Sequence, residues 1–532
     1  MILYFFAFLF IIIYVIRVEK RSLHMLQQNL YNENNRYIKW VNKNISITIL
    51  NFGFSAIILI IFSLILKDNN INNLILLITM IIYFVSFFKE GKISSNNQNK
   101  KPLVITARIK RLICTLIIIY LLPIVFSFIY QDKALIFLLI EVILATFSFY
   151  TSYLAVIINY PIEKLVYKHY FNMAKKKLNE MKSLKVIGIT GSYGKTSSKN
   201  ILNDILNIKF NTLATPKSLN TYNGLMMTIN NKLDKFDDIF IAEMGAYVRG
   251  EINGLCDLVN PKYGIITSIG TAHLETFGSE ENIVNGKMEL IEHLPSDGVG
   301  VLNADDPKQV NYKIKNNCKI IWVGIDNDSA DIKASNIKVK GTVTTFDVKF
   351  YNDDKTYSFE TKLLGRHNIY NILSALALGY LFSIPIKDLQ TAVKRVKPVE
   401  HRLEIKKLGN FYQIDDAYNS NPVGAKGALD VLSGIDGYKI VVTPGMVELG
   451  KKEDELNKIF GTQIADVADL VILVGKKKTK PIYEGLLEKK YPEDKIIILN
   501  DVRDSYKLIN SLNEKKKVYA LYENDLPDTY NE

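Results

Sequence analysis

The stretch "KVIGITGSYGKTSSKNIL", Lys185–Leu202, decides the fold of the larger part of the chain. A β-branched run leads into a turn bounded by two glycines, and a helical pattern starts at Lys195. In such a strand–turn–helix unit the backbone N–H groups curl around an anion, and the positive end of the helix dipole points at it. The spacing is the shorter Gly-x-x-Gly-Lys-Thr form of a phosphate-binding loop, because Ile189 stands where the longer form has glycine. We predict nucleotide binding here; the alternative is a glycine-rich turn that precedes a helix by chance.

The residues of this loop predict separate tasks in nucleotide binding. Gly191, Ser192 and Gly194 form the turn whose N–H groups face the phosphates. Lys195 follows the turn and would reach the terminal phosphates. The Thr196 hydroxyl fits a ligand of phosphate-bound Mg²⁺, because this ion takes few protein oxygens beside those of the nucleotide.

Length and composition exclude several classes of protein. A chain of 532 residues is too long for one core and predicts two or more domains. The three cysteines, Cys114, Cys256 and Cys318, form no C-x-x-C, which argues against a disulfide framework or a zinc site and fits a reducing compartment. The formal net charge is +12, but Lys and Arg are scattered and no nucleic-acid-binding motif is present. We therefore expect no nucleic-acid partner.

Residues 1–160 are rich in apolar segments, and the longer ones reach the roughly 20 residues that cross a hydrocarbon core. The first segment lacks the positive start and small-residue cleavage site of a signal peptide, so we interpret it as an anchor. Glu141 lies inside the last segment; polar groups of neighbouring helices could hold it, and we assign it no role. The sequence predicts a membrane region of about five transmembrane helices: Ile2–Ile16, Ile45–Leu66, Leu74–Phe88, Leu112–Tyr130 and Ala134–Ile158.

The charges of the links between these segments predict their orientation. Arg17–Asn44 and Lys89–Arg111 are rich in Lys and Arg, whereas Lys67–Asn73 and Gln131–Lys133 carry one such residue each. The positive-inside rule places the two basic links in the cytoplasm. A multi-pass protein of the cell membrane then has its N-terminus outside and the chain from Lys164 onward in the cytoplasm, where ATP is found.

The remaining chain predicts an α/β fold. After a basic, helical linker (residues 161–184), apolar runs such as "DDIFIAEMG", "YGIITSIG" and "GVGVLNADD" alternate with helices, which is typical of a sheet with sites at the strand carboxyl ends. Lys333–Leu364 alternates in the manner of antiparallel strands, and "GRHNIYNILSALALGYLFSI" is helical. Near Pro398 a second doubly wound region begins, with "FYQIDDAYNS", "KIVVTPGM", "LVILVG" and "KIIILN". We predict domains at 185–397 and 398–532.

Three further residues form a constellation with the loop. Glu243 in "AEMG" and His273 in "GTAHLETFG" each follow an apolar run, so both are expected at the sheet edge that carries the loop. A carboxylate and an imidazole beside a triphosphate suit divalent metals. Taken alone, Glu243 could be a capping or ion-paired residue, and His273 a turn histidine. Lys287 starts the helical pattern "GKMELIEHL" and could be an exposed amine.

The order of these motifs resembles a known family. "TGSYGKTSSKNIL", "AEMGAYVRGEI", "SIGTAHLETFGSEENIVNGKMELI", "GRHNIYNILSALAL", "EHRLE" and "IDDAYNSNP" resemble the successive motifs of the Mur ligases, over roughly Lys185–Leu499. These enzymes use ATP to join an amino acid or peptide to a carboxylate. Within the family the motifs are most similar to those of the D-alanyl-D-alanine-adding member. The resemblance implies a central P-loop ATPase domain and a C-terminal Rossmann-like domain that closes over it.

The resemblance also implies roles for individual residues. Lys195 and the backbone of the loop would bind phosphates, and Thr196 with Glu243 would hold one Mg²⁺. His273 would contact a second Mg²⁺ together with Lys287 in a carbamylated form. In the order of the chain, Asn368 and Asn371 would contact adenine, while Arg402 and Asp416 would contact the γ-phosphate and the ribose. His401 and Tyr418 lie beside these motifs and could be structural only.

Some features depart from the family pattern. Membrane segments replace the small domain that grips a UDP-sugar, Thr215–Gly224 matches the family motif only in its Asn-Thr character, and "YALYENDLPDTYNE" replaces a glycine-containing loop. The peptidyl acceptor could thus be UDP-linked or lipid-linked. The expected function is ligation of an amino acid or dipeptide, D-alanyl-D-alanine above all, to a cell-wall precursor. The alternatives are a ligase for another polymer such as poly-γ-glutamate and a non-catalytic nucleotide-binding membrane scaffold; the oligomeric state is left open.

Overall fold

A computed structural model describes residues 1–66, 68–96, 102–340, 343–417, 420–447, 449–512, 514 and 516–524. The chain separates into two compact units, Met1–His169 and Tyr170–Glu532. The first consists of helices and the second contains both β-sheets.

The first unit is built from helices whose apolar side chains are extensively exposed. Its helices are α1 (Ile2–Gln28), α2 (Arg36–Lys43), α3 (Ile45–Thr48), α4 (Asn51–Leu66), α5 (Asn69–Asn96), α6 (Ala107–Ile129), α7 (Ala134–Thr146) and α8 (Ser148–Glu180), the last of which continues into the second unit. Among the described residues, α1, α5 and α6 are long and apolar enough to cross a membrane. The joined pair α7 and α8 also passes this test but is bent by 93°, and α4 is a shorter apolar helix. Five spans stay a prediction.

Two of the predicted segments are interrupted in the structure. Ile45–Leu66 breaks between α3 and α4, and Ala134–Ile158 breaks at Phe147 between α7 and α8. The two breaks meet, because the Leu50 amide donates to the carbonyl of Thr146 at 3.2 Å. A broken helix leaves backbone groups without helical partners, and in an apolar environment these groups must find partners elsewhere. An amide at one break and a carbonyl at the other therefore satisfy each other.

Two glutamates in the first unit differ in how they are satisfied. Glu19 on α1 is buried and accepts hydrogen bonds from the Tyr120 hydroxyl at 2.8 Å and from the Ser152 hydroxyl. Glu141 on α7 is also buried, but neither of its carboxylate oxygens has a hydrogen-bond partner among the described residues. Among the described residues, the alternative in which polar groups of neighbouring helices hold Glu141 by hydrogen bonds is therefore wrong.

The second unit begins with a nine-stranded sheet in the order β2-β3-β1-β4-β5-β6-β7-β8-β9. The strands from β2 to β7 pair in parallel, so the carboxyl ends of β1, β3 and β4 meet at one edge. The antiparallel excursion predicted for Lys333–Leu364 is confirmed, because β7, β8 and β9 pair antiparallel. The strands are β1 (Lys185–Thr190), β2 (Thr212–Ala214), β3 (Ile239–Glu243), β4 (Tyr263–Ile266), β5 (Val299–Asn303), β6 (Lys319–Gly324), β7 (Ile332–Lys340), β8 (Val343–Lys349) and β9 (Thr356–Thr361).

Helices cover both faces of this sheet. Along β1, Ile187 and Ile189 belong to a core formed with α9, α15 and α16, whereas Val186 belongs to a core formed with α10, α11 and α13. This alternation follows the two-residue period of a strand. The helices are α9 (Lys195–Leu206), α10 (Tyr222–Asn231), α11 (Glu251–Val259), α12 (Leu274–Phe277), α13 (Glu280–His293), α14 (Pro307–Val310), α15 (Arg366–Leu381) and α16 (Ile386–Arg395).

A second sheet of six strands follows, in the order β10-β11-β15-β12-β13-β14. All neighbours pair in parallel except β10 and β11, which agrees with the predicted doubly wound region. The sequence did not predict β15, which lies in the middle of the sheet between β11 and β12. The elements are β10 (Glu404–Leu408), β11 (Phe411–Asp416), α17 (Pro422–Ser433), β12 (Tyr438–Thr443), α18 (Glu453–Ala465), β13 (Leu470–Val474), α19 (Lys480–Glu488), β14 (Ile496–Leu499), α20 (Val502–Ser511) and β15 (Val518–Glu523).

Candidate active site

The phosphate-binding loop joins β1 to α9 and is held against the end of β4. Gly191 has φ +149°, and a Cβ on it would lie 2.0 Å from the hydroxyl of Thr267. Gly194 has φ +81°, a left-handed conformation that glycine adopts without strain. The amide of Ser192 donates to the carbonyl of Ser268 at 2.7 Å. Both positions therefore favour glycine because of their positive φ, and Gly191 does so also because a Cβ would clash with Thr267.

Lys195 lies at the start of α9 with its ammonium folded over the loop. Its Nζ donates to the carbonyls of Gly191 at 2.8 Å and Ser192 at 3.3 Å. Burial lowers the pKa of Lys195; the carboxylate of Glu243 opposes this shift and the charge of Arg402 adds to it. A phosphate oxygen is a stronger acceptor for an ammonium than a neutral carbonyl, so ATP would draw Lys195 from these carbonyls.

The carboxylate of Glu243 ends β3 beside this loop. Its Oε1 accepts from the Thr196 hydroxyl at 3.0 Å and from Asn220 Nδ2 at 3.1 Å. Its Oε2 lies 3.0 Å from the ammonium of Lys199. The ion-paired alternative for Glu243 is thus part of the structure, but it does not exclude the predicted role, because the hydroxyl and carboxylate oxygens that would bind a cation are adjacent.

The donor set at Glu243 fits Mg²⁺. This ion is held by one or two protein oxygens plus phosphate oxygens and water, which a threonine hydroxyl and one carboxylate oxygen can supply. Within the part of the chain that the structure describes, no three His, Cys, Asp or Glu side chains are grouped as metal ligands. The nucleotide would therefore have to complete the coordination.

His273 and Lys287 converge on the loop that follows β3. His273 has φ +61°, and its ring centroid lies 4.5 Å from that of Tyr247. Lys287 Nζ donates to the carbonyl of Ala246 at 3.1 Å. The two predicted ligands of a second Mg²⁺ therefore contact consecutive residues, Ala246 and Tyr247. These residues belong to the loop that follows Glu243 at the end of β3. Their binding of a second ion stays a prediction.

Lys287 differs from both simple expectations of the sequence. It does not start a helix but lies in the middle of α13, since the helix begins at Glu280 after the cap by Ser279. It is not an exposed amine, because only 1% of the residue is accessible and its ammonium lies over the ring of Phe277. Burial, with the nearby charge of Lys195, lowers the pKa of Lys287 to about 7. A substantial fraction of this amine is neutral near neutral pH.

Asn368 and Asn371 lie in the first turns of α15, as predicted, and both are buried. Asn368 Nδ2 donates to the carbonyl of Leu364 at 2.8 Å. The side-chain oxygen of Asn371 lies 3.4 Å from where a Cβ on Gly194 would stand. The structure thus brings Asn371 to the phosphate-binding loop, and contact of either residue with adenine stays a prediction.

Arg402 lies just before β10, and Asp416 ends β11. The charge of Arg402 acts to lower the pKa of Lys195 and that of Asp416. Burial raises the pKa of Asp416 to about 6, while Arg402 and the amide of Leu403, at 3.2 Å, act in the opposite direction. Glu523 at the end of β15 faces Asp416 and is buried.

His401 and Tyr418 are the two residues for which the sequence allowed a purely structural role. His401 Nδ1 lies 2.8 Å from the carboxylate of Asp415, which supports a structural role. Tyr418 lies outside the described residues. The same holds for residues 525–532, which include most of the C-terminal stretch "NDLPDTYNE".

Sequence reasoning missed three residues around Glu243. Lys199 follows Thr196 by three positions, so helical periodicity alone places it on the same face. Asn220 and Thr215 belong to the stretch with Asn-Thr character; Asn220 donates to the carboxylate, and the Thr215 hydroxyl accepts from the Glu243 amide at 3.1 Å. Helical spacing could have identified Lys199, but the contacts of the other two depend on the pairing of β2 with β3.

Comparisons with known proteins cover the second unit. Residues 189–379 match the Mur ligase middle domain, and residues 401–520 match the Mur ligase, glutamate ligase domain. The UDP-N-acetylmuramoyl-tripeptide--D-alanyl-D-alanine ligase of Bacillus subtilis (strain 168) is 32% identical over 343 residues, which are 62% of this chain and 71% of that protein. The enzyme of the same name from Escherichia coli (strain K12) is 32% identical over 299 residues, which are 55% of this chain and 65% of its own length.

Solved structures agree with this fold. MurF from Acinetobacter baumannii superposes with a TM-score of 0.60 at 24% identity, covering 68% of this chain and 77% of that one. MurF ligase from Thermotoga maritima in complex with ADP gives a TM-score of 0.59 at 25% identity, covering 68% of this chain and 80% of its own. Both matched domain ranges begin after residue 188, so they leave out the apolar helices of the first unit.

Proposed function

Because this chain belongs to the Mur ligase family and is an ATP-dependent, ADP-forming ligase of that type, we propose that it couples D-alanyl-D-alanine to a cell-wall peptide precursor. The observation that carries the proposal is the arrangement of Lys195, Thr196 and Glu243 at one phosphate-binding loop, which suits a nucleotide with Mg²⁺. The curated relatives named for this reaction supply the choice of D-alanyl-D-alanine.

The first step activates the acceptor carboxylate. A carboxylate oxygen of the acceptor attacks the γ-phosphorus of ATP, the bond to the β-phosphate oxygen breaks, and ADP leaves with that electron pair. Lys195, at the start of α9, would stabilise the negative charge of the transferring phosphate. Arg402, which precedes β10, would supply a second positive charge. Fixed cations in a partly buried site stabilise developing charge strongly.

Thr196 and Glu243 would hold Mg²⁺, which supplies charge neutralisation and orientation of the phosphates when bound. We propose that His273 and a carbamylated Lys287 would hold a second ion. The carbamate fits the chemistry of Lys287, because a neutral amine attacks CO₂ and loses a proton to form a carboxylate-like group. The lowered pKa of Lys287 and the neighbouring Lys195 charge both favour that product.

The second step forms the amide bond. The incoming dipeptide reacts as the free amine: its nitrogen attacks the acyl phosphate carbon and then releases a proton, and inorganic phosphate leaves the tetrahedral intermediate with the electron pair of the broken C–O bond. An acyl phosphate is sensitive to water, so the two sheets must close over ATP before it forms. Arg402 and Asp416 are the groups that such a closure would bring to the nucleotide.

We propose further that the first unit anchors the enzyme in the cell membrane, with the second unit in the cytoplasm. The apolar, outward-facing helices α1, α5 and α6 support a membrane location. They stand in the chain where a UDP-sugar domain would be expected, which favours a precursor at the membrane surface, including a lipid-linked one.

The test is product analysis with the full chain in detergent or nanodiscs. ATP, Mg²⁺ and D-alanyl-D-alanine are supplied with a tripeptide precursor in UDP-linked or lipid-linked form, and the peptide product is identified by mass while ADP is quantified. We expect ADP and a pentapeptide product in equal amounts. ATP-dependent ligation only of other amino acids would support another polymer, and nucleotide binding without ADP formation would support a scaffold.

A further inference from the structure

The Lys199 ammonium occupies an unusual place in the second unit. It is buried, with 2% of its side chain accessible, and it lies one helical turn after Lys195 on α9. Its Nζ contacts Glu243 Oε2 at 3.0 Å and also donates to the carbonyl of Lys217 in the segment that follows β2. Burying a lysine is costly unless its charge is paired, so this contact has to be maintained by the fold.

The two oxygens of Glu243 have different partners. Oε1 accepts from Thr196 and Asn220, which are neutral groups, whereas Oε2 faces the positive charge of Lys199. A divalent cation can approach Oε1 beside the Thr196 hydroxyl once the hydroxyl hydrogen rotates away. It cannot approach Oε2 without meeting an ammonium that the surrounding structure holds in place.

We propose that Lys199 is a positioning residue that pairs with one oxygen of Glu243 and restricts a bound cation to the other. This inference rests on the proposed function, because Glu243 is a metal ligand only there. One-oxygen binding suits Mg²⁺, which requires near-octahedral geometry, whereas Ca²⁺ readily takes both oxygens of a carboxylate. Lys199 therefore contributes to the choice of Mg²⁺ over Ca²⁺.

Lys199 also connects the metal ligand to a neighbouring segment. The segment after β2 contacts Glu243 through Thr215 and Asn220, and the Lys217 carbonyl receives the Lys199 ammonium. The carboxylate is consequently held from α9, from its own strand and from this segment. Loss of the ammonium should free both Oε2 and one of these attachments.

The experiment uses the full chain in detergent and the substitution Lys199→Met, which keeps an unbranched side chain one atom shorter and removes the charge. Thermal unfolding is followed at saturating ADP in EDTA, in Mg²⁺ and in Ca²⁺, because the nucleotide has to complete the metal coordination. We expect the Tm in EDTA to fall by roughly 5–15 °C, since an unpaired buried carboxylate remains. We expect Ca²⁺ to restore more of this loss in Tm than Mg²⁺ does. We also expect the Mg²⁺ concentration that gives half-maximal ADP formation to rise by a factor at least about ten times larger than the factor by which kcat falls.

The matched control is Lys209→Met. Lys209 also donates to backbone carbonyls, those of Phe382 and Ser383, but it follows the last turn of α9 and is exposed. Its Tm should respond to the two metals as the wild type does. If Lys199→Met lowers the Tm equally in EDTA, Mg²⁺ and Ca²⁺, the ammonium only supports the Lys217 carbonyl and the inference is overturned.

A double substitution covers the case in which Lys199→Met does not fold. Lys199→Met with Glu243→Gln removes both charges and should fold even where Lys199→Met alone does not, because no unpaired buried carboxylate remains. A double variant that also fails to fold contradicts the pairing. Absence of ADP formation by the wild type, with the metal responses as expected, would instead contradict the proposed function and leave the pairing supported.

Discussion

Substitution of Lys287 separates a structural amine from a carbamylated metal ligand. In either case Lys287→Ala removes a buried side chain and its hydrogen bond to Ala246, which should cost about 2–4 kcal/mol of the free energy of unfolding. Stability therefore cannot distinguish the two roles. Lys287→Met fills a similar volume and should cost less than about 1.5 kcal/mol, so its activity is the informative quantity.

The magnitude of the chemical effect follows from the pKa of Lys287, which burial lowers to about 7. At pH 8 about nine tenths of such an amine is neutral, against about 0.3% for a lysine of ordinary pKa. Only the neutral amine attacks CO₂, so the lowered pKa makes Lys287 more available for carbamylation than an ordinary lysine. The unfolded chain retains this proton more tightly than the folded chain, so as far as Lys287 is concerned stability rises with pH between about 7 and 10.5.

The assay measures ADP release with CO₂ removed and then restored. Wild-type activity should fall on degassing and return with bicarbonate, and labelled bicarbonate should give a carbamate carbon-13 signal that Lys287→Met lacks. Lys287→Ala should lose at least about 10²-fold in activity, as is typical for loss of a group that stabilises transferring charge, and acetate should restore part of it. Full activity of Lys287→Ala at limiting Mg²⁺ would refute the carbamate role.

The remaining predictions address the phosphate-binding loop and the membrane topology. Lys195→Ala should reduce ADP release by ~10²–10³-fold or more while the protein still folds, and full ligation by this variant would contradict the loop's role. Gly191→Ala should lower both Tm and activity because its Cβ meets Thr267, whereas an unchanged Tm would show that the loop tolerates the side chain. A reporter fused after Asn35 should be cytoplasmic and one fused after Asp132 external; the opposite pattern would contradict the five-span arrangement.

The sequence predicted those parts of the fold that local patterns encode. β3 was identifiable because its apolar run is continuous and ends at a carboxylate, and α15 because its apolar residues follow a helical period. β15 was not, because its short run lies in a Lys-rich stretch and its place between β11 and β12 depends on distant pairing. Local pattern also could not show the bend between α7 and α8, where the carbonyl of Thr146 accepts from the distant Leu50 amide.

The candidate site shows the same limit at the level of single residues. Lys195 and Thr196 could be assigned roles because the loop and the following helix are contiguous in the chain. The burial of Lys287 could not be predicted, because Phe277 and Ala246, which cover its amine, come from α12 and from the loop after β3. A lysine on a helix is exposed in most local contexts, and only packing against distant residues changes that.

The loop after β3 explains why these groups must act together. Glu243 ends the strand, the Gly245 amide donates to the carbonyl of Asn220 at 2.8 Å, and the next two residues contact Lys287 and His273. A shift of the loop would therefore move the carboxylate and the surroundings of the lysine amine at once. Since this part of the site is fixed from several sides, we expect closure to occur by movement of the second sheet, which carries Arg402 and Asp416, toward a rigid phosphate-binding half.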